Sequence, residues 1–483
     1  MDFSTIAKKQ GQLKFTENGQ MAYNTTNSNL LDLFGTIGAL RTRDKAEIED
    51  KFARAFAEDA LLATKMLFYA GDIRGLGLGE RRTFRICLKW LAMNYPDIVR
   101  KNITAIPMFN RWDSIFELVG TPCEEDMWRV IDKQLQKDVS QASAGESCSL
   151  LAKWMPSENA SSKATKALAL KAIKALGITP REYRKVLSNL RRYIDVTEIK
   201  MSQNEWNSIN YEAVPSVAMK NYQKAFARRD ALRYQEYLAS VNKGEKKINS
   251  STLYPYNLVE QYLYYCNGGP ATEAQWKALP NYVSGENNVL VMADVSGSMY
   301  GRPMATSIGL AIYFAERNKG AYHNLYMTFT DQPRFVSIKE GATLRENVRF
   351  VERAGVGYNT NLEAAFNEIL KMAVQNSLRN EELPKALLIV SDMEIDNVVS
   401  REGLDFVEIM KKRFAQHGYK MPKLIMWNVD SRQDTFLTQG DDVLQVSGQS
   451  TNTFKSVLSS INCSAYELML KVLNDELYSC IEI

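Results

Sequence analysis

Five oxygen-bearing side chains stand where the chain passes from apolar runs into turns. Asp294, Ser296 and Ser298 lie in ADVSGS, directly after NVLVM; Thr360 lies in YNTNLE, ahead of an amphipathic run; Asp392 closes KALLIVSDM. None of the five offers sulfur or imidazole. Hard oxygen donors with two carboxylates among them suit Mg²⁺, or another divalent cation of that kind, better than zinc or copper. Mg²⁺ takes six oxygens and gives up its waters reluctantly, so the hydroxyls can bind directly while the carboxylates hold coordinated waters. One position then stays open for an acidic side chain of a partner or a phosphate oxygen. Taken alone, DVSGS also reads as a polar strand-to-helix turn whose Ser and Asp cap the next helix. Glu394 and Asp396, just beyond, read as carboxylates of a surface loop.

Other chemistries are poorly supplied. Cys87, Cys123, Cys148, Cys266, Cys463 and Cys480 are scattered, with no C-x-x-C, and read as free thiols of a reducing compartment. Only His323 and His417 are present, and His417, before Gly418, sits where a helix end would favour a cation. Phosphoryl transfer on an aspartate wants a second carboxylate two residues on, where the chain has Ser296, and no lysine stands by the motif. Gly75, Gly77 and Gly79 in RGLGLGER do not keep the G-x-G-x-x-G spacing and no strand precedes them, so a tight helix–helix turn is expected, with Arg81 and Arg82 solvated beyond it. The protein is therefore read as a binding protein and not an enzyme.

The elements that must position the oxygens follow from periodicity. Residues 28 to 265 repeat apolar positions at three and four, as in KAEIEDKFARAFAEDALLATKMLFYAG and PREYRKVLSNLRRYID, and predict a helical-repeat-like array or a compact bundle. A Gly-, Asn-, Ser- and Pro-rich stretch between 241 and 287 marks the junction, giving domains 1–285 and 286–483. Beyond it, strands (NVLVMAD, NLYMTFTD, RFVSI, KALLIVSDM, KLIMWNVD, VLQVSG) alternate with helices, which predicts a doubly wound, Rossmann-like parallel sheet. The fold class is thus α followed by α/β. In such sheets ligands gather at the carboxyl ends of the strands, where all five oxygens fall.

Charge separates the halves. Residues 1–285 carry 40 basic and 31 acidic side chains, the remainder 20 and 25, and residues 151–250 alone carry 19 and 9. No apolar run is long enough to cross a membrane and MDFSTIAKKQGQLKF lacks a signal-peptide core, so a soluble cytoplasmic protein, or a virion-associated one if the source is viral, is expected.

DVSGS, NTN and SDMEID, in that order at strand ends, resemble the metal-ion-dependent adhesion site of von Willebrand factor A domains over about residues 285–460. The resemblance implies Ser296, Ser298 and Thr360 as direct ligands and Asp294 and Asp392 as carboxylates acting through water. Upstream, LFYAGDIRGLGLGERRTF, NRWDSIFELVG and LLAKWMPSEN are similar to segments of Ro-type proteins, in which a ring of helical repeats (the TROVE module) precedes an A domain. Leu76 and Leu78 depart from the glycine- and lysine-rich vertebrate pattern. That resemblance implies an RNA partner, single-stranded or structured and non-coding, for the basic half. From the residues themselves, Arg184, Lys185, Arg191 and Arg192 form the candidate basic ridge, with Tyr183 and Tyr193 nearby for base stacking. A charge run on a helix is also commonly a solvated face. A metal-dependent protein-interaction or assembly module without RNA, gripping an acidic side chain of its partner, is the alternative.

Overall fold

The computed structural model describes residues 11–283, 288–354, 360–395, 406–439 and 443–483. A short antiparallel hairpin, β1 (Leu13–Phe15) and β2 (Met21–Tyr23), comes first; no periodicity announced it. The helical half follows, and includes α1 (Ala60–Gly71), α2 (Arg81–Asn94), α3 (Lys163–Ala175), α4 (Pro180–Tyr193) and α5 (Pro255–Leu263). Local chemistry sets these boundaries. Thr179 and Glu182 form a reciprocal capping box at the start of α4 with Pro180 in its first turn, and Ser162 caps α3.

The second half is α/β. Its strands are β3 (Val289–Ala293), β4 (Leu325–Thr328), β5 (Phe335–Ser337), β6 (Ala386–Ser391), β7 (Lys423–Asn428) and β8 (Leu444–Ser447), in the spatial order β5-β4-β3-β6-β7-β8. All pairs are parallel except β4 with β5, so the sheet is mixed, with an antiparallel edge strand where a wholly parallel sheet was expected. The helices are α6 (Arg302–Arg317), α7 (Leu344–Ala354), α8 (Leu362–Gln375), α9 (Phe406–Gln416) and α10 (Ala465–Leu473). Strand residues alternate between two cores. Leu290, Met292, Leu387 and Ile389 pack with α8 and α9, whereas Val289, Val291, Leu388 and Trp427 pack with α6 and α7.

That second core does not stop at the sheet. It continues without interruption through α5, α1 and α2, so α6 and α7, which cover this face of the sheet, share their core with the helical half. The chain termini then cross over. The N-terminal hairpin lies on the sheet half, where Tyr23 and Phe436 exchange backbone hydrogen bonds of 2.8 and 3.0 Å, and the C-terminal segment lies on the helical half, where Tyr478 is fully buried.

Asp72 holds the glycine loop that joins α1 to α2. Its buried carboxylate accepts from the amides of Arg74 and Gly75 at 2.8 Å, from that of Gly77 at 3.1 Å and from the Tyr478 hydroxyl at 3.0 Å. A side chain at Gly77 would meet the Tyr69 carbonyl at 2.4 Å. The glycines therefore serve close packing around an internal carboxylate. Arg81 is not simply solvated, as the sequence suggested: it pairs with Asp113 at 2.7 Å. Among the described residues no helix is long and apolar enough to cross a membrane, and none of the six cysteines is in a disulfide.

Replacing Asp72 with alanine leaves the loop amides of Arg74, Gly75 and Gly77 and the buried Tyr478 hydroxyl without their acceptor, at a cost of about 3 kcal/mol. The expected result is a marked drop in urea midpoint and earlier proteolysis of the C-terminal segment; a midpoint within error of the parent would show that the loop is held otherwise.

Candidate functional site

The chain leaves β3 toward β4 on one side and returns at β6 on the other, so β3 and β6 are parallel neighbours whose connections diverge. This is the switch point of the sheet, the place at which open α/β sheets bind their ligands. Ala293 pairs with Val390, which sets Asp294 beside Ser391 and Asp392. Asp294 is 1% exposed and Asp392 2%.

Each carboxylate is held by its own turn. Asp294 Oδ1 accepts from the Ser296 amide at 2.9 Å, and Oδ2 from the Ser391 hydroxyl at 2.6 Å. Asp392 Oδ1 accepts from the Glu394 amide at 3.2 Å, across Met393, whose φ of +68° is strained for a side-chain-bearing residue. The Ser296 and Ser298 hydroxyls lie 3.1 Å apart, Ser296 buried and Ser298 exposed. Thr360 is buried, with its hydroxyl 3.4 Å from the Glu394 carbonyl, and the next residue, Asn361, caps α8 through the Ala364 amide. Four of the expected oxygens thus converge at the β3 and β6 ends, and the fifth, Thr360, lies against the turn that carries Asp392.

Sequence reasoning missed Arg432. This residue follows β7 and donates to Asp392 Oδ2 at 2.7 Å. Glu394, expected on a surface loop, is 3% exposed, and its Oε1 is buried without a hydrogen-bond partner among the described residues. Its other oxygen accepts from the Glu17 amide at 2.7 Å, because the N-terminal hairpin covers the turn. Asp396 lies outside the described residues. No spacing in the sequence links residues 17, 394 and 432; only the hairpin's docking does.

Negative charge is crowded here. Burial, then the neighbouring Asp392, pushes the Asp294 carboxyl up to about 6, against the pull of the Ser391 and Ser296 hydrogen bonds. Burial also raises Glu394 and Asp430. Among the described residues no cluster of three or more His, Cys, Asp or Glu is arranged to hold a metal ion. The strand-end donors are of another kind, two carboxylates with three hydroxyls. Two oxygens on one edge of a Mg²⁺ octahedron lie about 3.0 Å apart, which the serine pair matches. Ser296, Ser298 and Thr360 would be the direct ligands of such an ion, with Asp294 and Asp392 beside them.

The four basic residues of α4 do not share one face. Arg184 is ion-paired with Glu158, and Arg191 donates to the carbonyls of Ala152 and Met155 at 2.8 Å, so both secure the 152–158 segment. Lys185 and Arg192, seven residues apart, face solvent together with Arg181. Tyr183 is buried, its hydroxyl on the Pro156 carbonyl at 2.6 Å, and is not available for stacking; Tyr193 is exposed.

A helical half sharing its core with an α/β half that carries a strand-end oxygen cluster defines the class of this protein. The profile of a domain of unknown function, DUF2828, matches residues 16–111 and 126–288, more than half of the chain, and that of a second, DUF7788, matches residues 288–477. The uncharacterized protein L728 of Acanthamoeba polyphaga mimivirus is 30% identical over 503 residues, covering 95% of this chain and 87% of its own length. The chain belongs to the DUF2828 family.

A carboxyl raised to about 6 in the folded chain, against an ordinary 3.8, contributes stability that is whole below about pH 4 and is lost as the pH rises through 6. Asp294→Asn removes that loss. In chelator, the variant should be more stable than the parent at pH 7.5, by on the order of 3 kcal/mol and with a correspondingly higher melting temperature, and no more stable at pH 4. Equal melting temperatures at pH 7.5 would show that the two carboxylates do not burden the fold.

Proposed function

We propose that this is a non-enzymatic RNA-binding protein of Ro type, whose α/β half is a von Willebrand factor A-like domain with a Mg²⁺-dependent docking site for an acidic group of a partner. The observation that carries the docking site is the pair of buried carboxylates at the switch point with two serine hydroxyls 3.1 Å apart at its mouth. A bound Mg²⁺ supplies positive charge and an open coordination position. The chain's part is to hold the hydroxyls on that edge and to keep two carboxylates behind them. A ligand carboxylate would then gain a charge-assisted contact that depends on the ion.

For RNA, the support is basic charge concentrated in one exposed stretch of the chain. Residues 163–193, which span α3 and α4, carry nine basic side chains and a single acidic one. Lys163, Lys166, Lys174, Arg181, Lys185 and Arg192 face solvent and form no ion pair among the described residues. Arg184 and Arg191 contribute through the 152–158 segment they secure. Cytoplasmic residence suits both roles.

The alternative is a metal-dependent interaction or assembly module without RNA. What favours it is the internal engagement of Arg184 and Arg191 and the burial of Tyr183, which thin the ridge.

Two measurements test these readings. Mg²⁺ should raise the melting temperature at pH 7.5 and less at pH 5, where Asp294 binds a proton instead; alanine at Asp294 and Ser296 should erase the response and any Mg²⁺-dependent capture of acidic peptides while leaving the circular dichroism unchanged. A response that survives both substitutions places the ion elsewhere. Single-stranded RNA should bind with an affinity that falls steeply with salt, and Lys185→Gln with Arg192→Gln should flatten that slope by about two. No binding above that of a neutral protein of this size would leave the assembly module as the reading.

A further inference from the structure

The N-terminal hairpin reaches the oxygen cluster through one side chain. Its turn lies on residues 392–395: the Thr16 hydroxyl donates to the Ile395 carbonyl at 2.6 Å, the Glu17 amide to Glu394 Oε2 at 2.7 Å, and the Asn18 amide group to the Glu394 carbonyl at 2.8 Å. Arg432 bridges the two parts. One guanidinium nitrogen is 2.7 Å from Asp392 Oδ2 and the other 3.2 Å from Glu17 Oε2. Asp392 is buried, but the Arg432 side chain keeps 32% of its exposure and so has room to leave.

A guanidinium and a hydrated divalent cation cannot share one carboxylate without strong repulsion, since like charges a few ångströms apart at a partly buried site cost several kcal/mol. The cluster is also short of positive charge. Asp392, Glu17 and Glu394 stand around Arg432, Asp294 adds its charge beside Asp392, and Glu394 Oε1 has no hydrogen-bond partner among the described residues.

We propose that Arg432 is a built-in counter-ion of Asp392 that a divalent cation displaces, so that cation binding at the strand ends releases Glu17 and loosens the hairpin turn. This inference rests on the cation reading given above. Coupling of this kind is reciprocal: removing Arg432 from Asp392 must tighten cation binding, and cation binding must weaken the seating of the hairpin. The device would let the ion's presence be felt at the N-terminal segment, which is tied to the loop after β7 as well, through Lys14 to Gln433 at 3.1 Å.

The test is amide hydrogen exchange of residues 12–23 in the full chain, in MgCl₂ against NaCl of equal ionic strength, with cation affinity measured by calorimetry. Exchange at Glu17 and Gln20 should rise with MgCl₂ in the parent. In Arg432→Gln it should already be fast and indifferent to MgCl₂, and the affinity for Mg²⁺ should be about tenfold tighter, the worth of one charge-assisted hydrogen bond. Glu17→Gln, which cuts only the link to the hairpin, should leave Mg²⁺ binding in place while exchange no longer follows it; this variant and the parent decide the matter if Arg432→Gln does not fold. Asp294-dependent Mg²⁺ binding with unaltered hairpin exchange, or weaker binding in Arg432→Gln, overturns the displacement and leaves the cation site standing. No Asp294-dependent binding in parent or variant overturns both.

Discussion

Two buried carboxylates forced side by side by strand order are the constraint on which the site depends. Because β3 and β6 are parallel neighbours ending at one edge, the residues just past them, Asp294 and Asp392, cannot avoid each other. Taking a carboxylate out of water costs several kcal/mol, and a like charge adds to it. The fold answers with short local bonds, from Ser391 and the Ser296 and Glu394 amides, and with one arginine. These compensations fix the direction of each oxygen. What they do not remove is the cost of burial and, after it, the charge of Asp392, which together push Asp294 up to about 6.

Such an arrangement holds its geometry only on a rigid frame, and the frame here is the whole molecule. The α6 face of the sheet shares one core with the helical half, and the backbones cross closely at the seam: a side chain at Gly38 would meet the Gly448 amide at 2.6 Å, and one at Gly309 would meet Pro255 at 3.0 Å. Ser447 ties the seam by accepting from the Gly38 amide and donating to the Phe34 carbonyl. With hairpin and C-terminal segment exchanged across the halves, displacement of either half would expose apolar surface on both. The strand-end loops are therefore positioned from the helical side as much as from their own sheet.

Much of this was legible in the sequence, for identifiable reasons. Buried parallel strands read as unbroken apolar runs, and every strand proposed after residue 286 has a counterpart, because β3, β6 and β7 are covered on both faces. Asp294 stood out as the first polar residue beyond such a run and Asp392 as the first carboxylate beyond one, whereas Ser296, Ser298 and Thr360 were picked out only by their places in DVSGS and NTN. The hairpin was not, since its three-residue strands carry too little alternation to register and Leu13 and Phe15 face outward. On α4 the period-seven relation correctly joins Lys185 to Arg192 and Arg184 to Arg191, but it cannot say which pair meets the 152–158 segment. That depends on the rotation of the helix, which is set by burial of Tyr183, Leu187 and Leu190.

Glu394 and Arg432 show what lies beyond any local reading. A Glu two residues past a strand end is a solvated carboxylate unless something covers it, and the covering hairpin lies more than 370 residues away. An arginine after β7 has no local reason to face β6; it does so because Asp392 and Glu17 attract it from opposite sides. The same argument sets the chemistry of the site. Charge balance here is assembled from three distant segments, and Arg432, the cation paired with both Asp392 and Glu17, sits at the rim with about a third of its side chain exposed. Under the displacement proposed above, an ion at the strand ends would redistribute this internal ion pair, and the electrostatics of the strand ends and the seating of the N-terminal hairpin would be one equilibrium and not two.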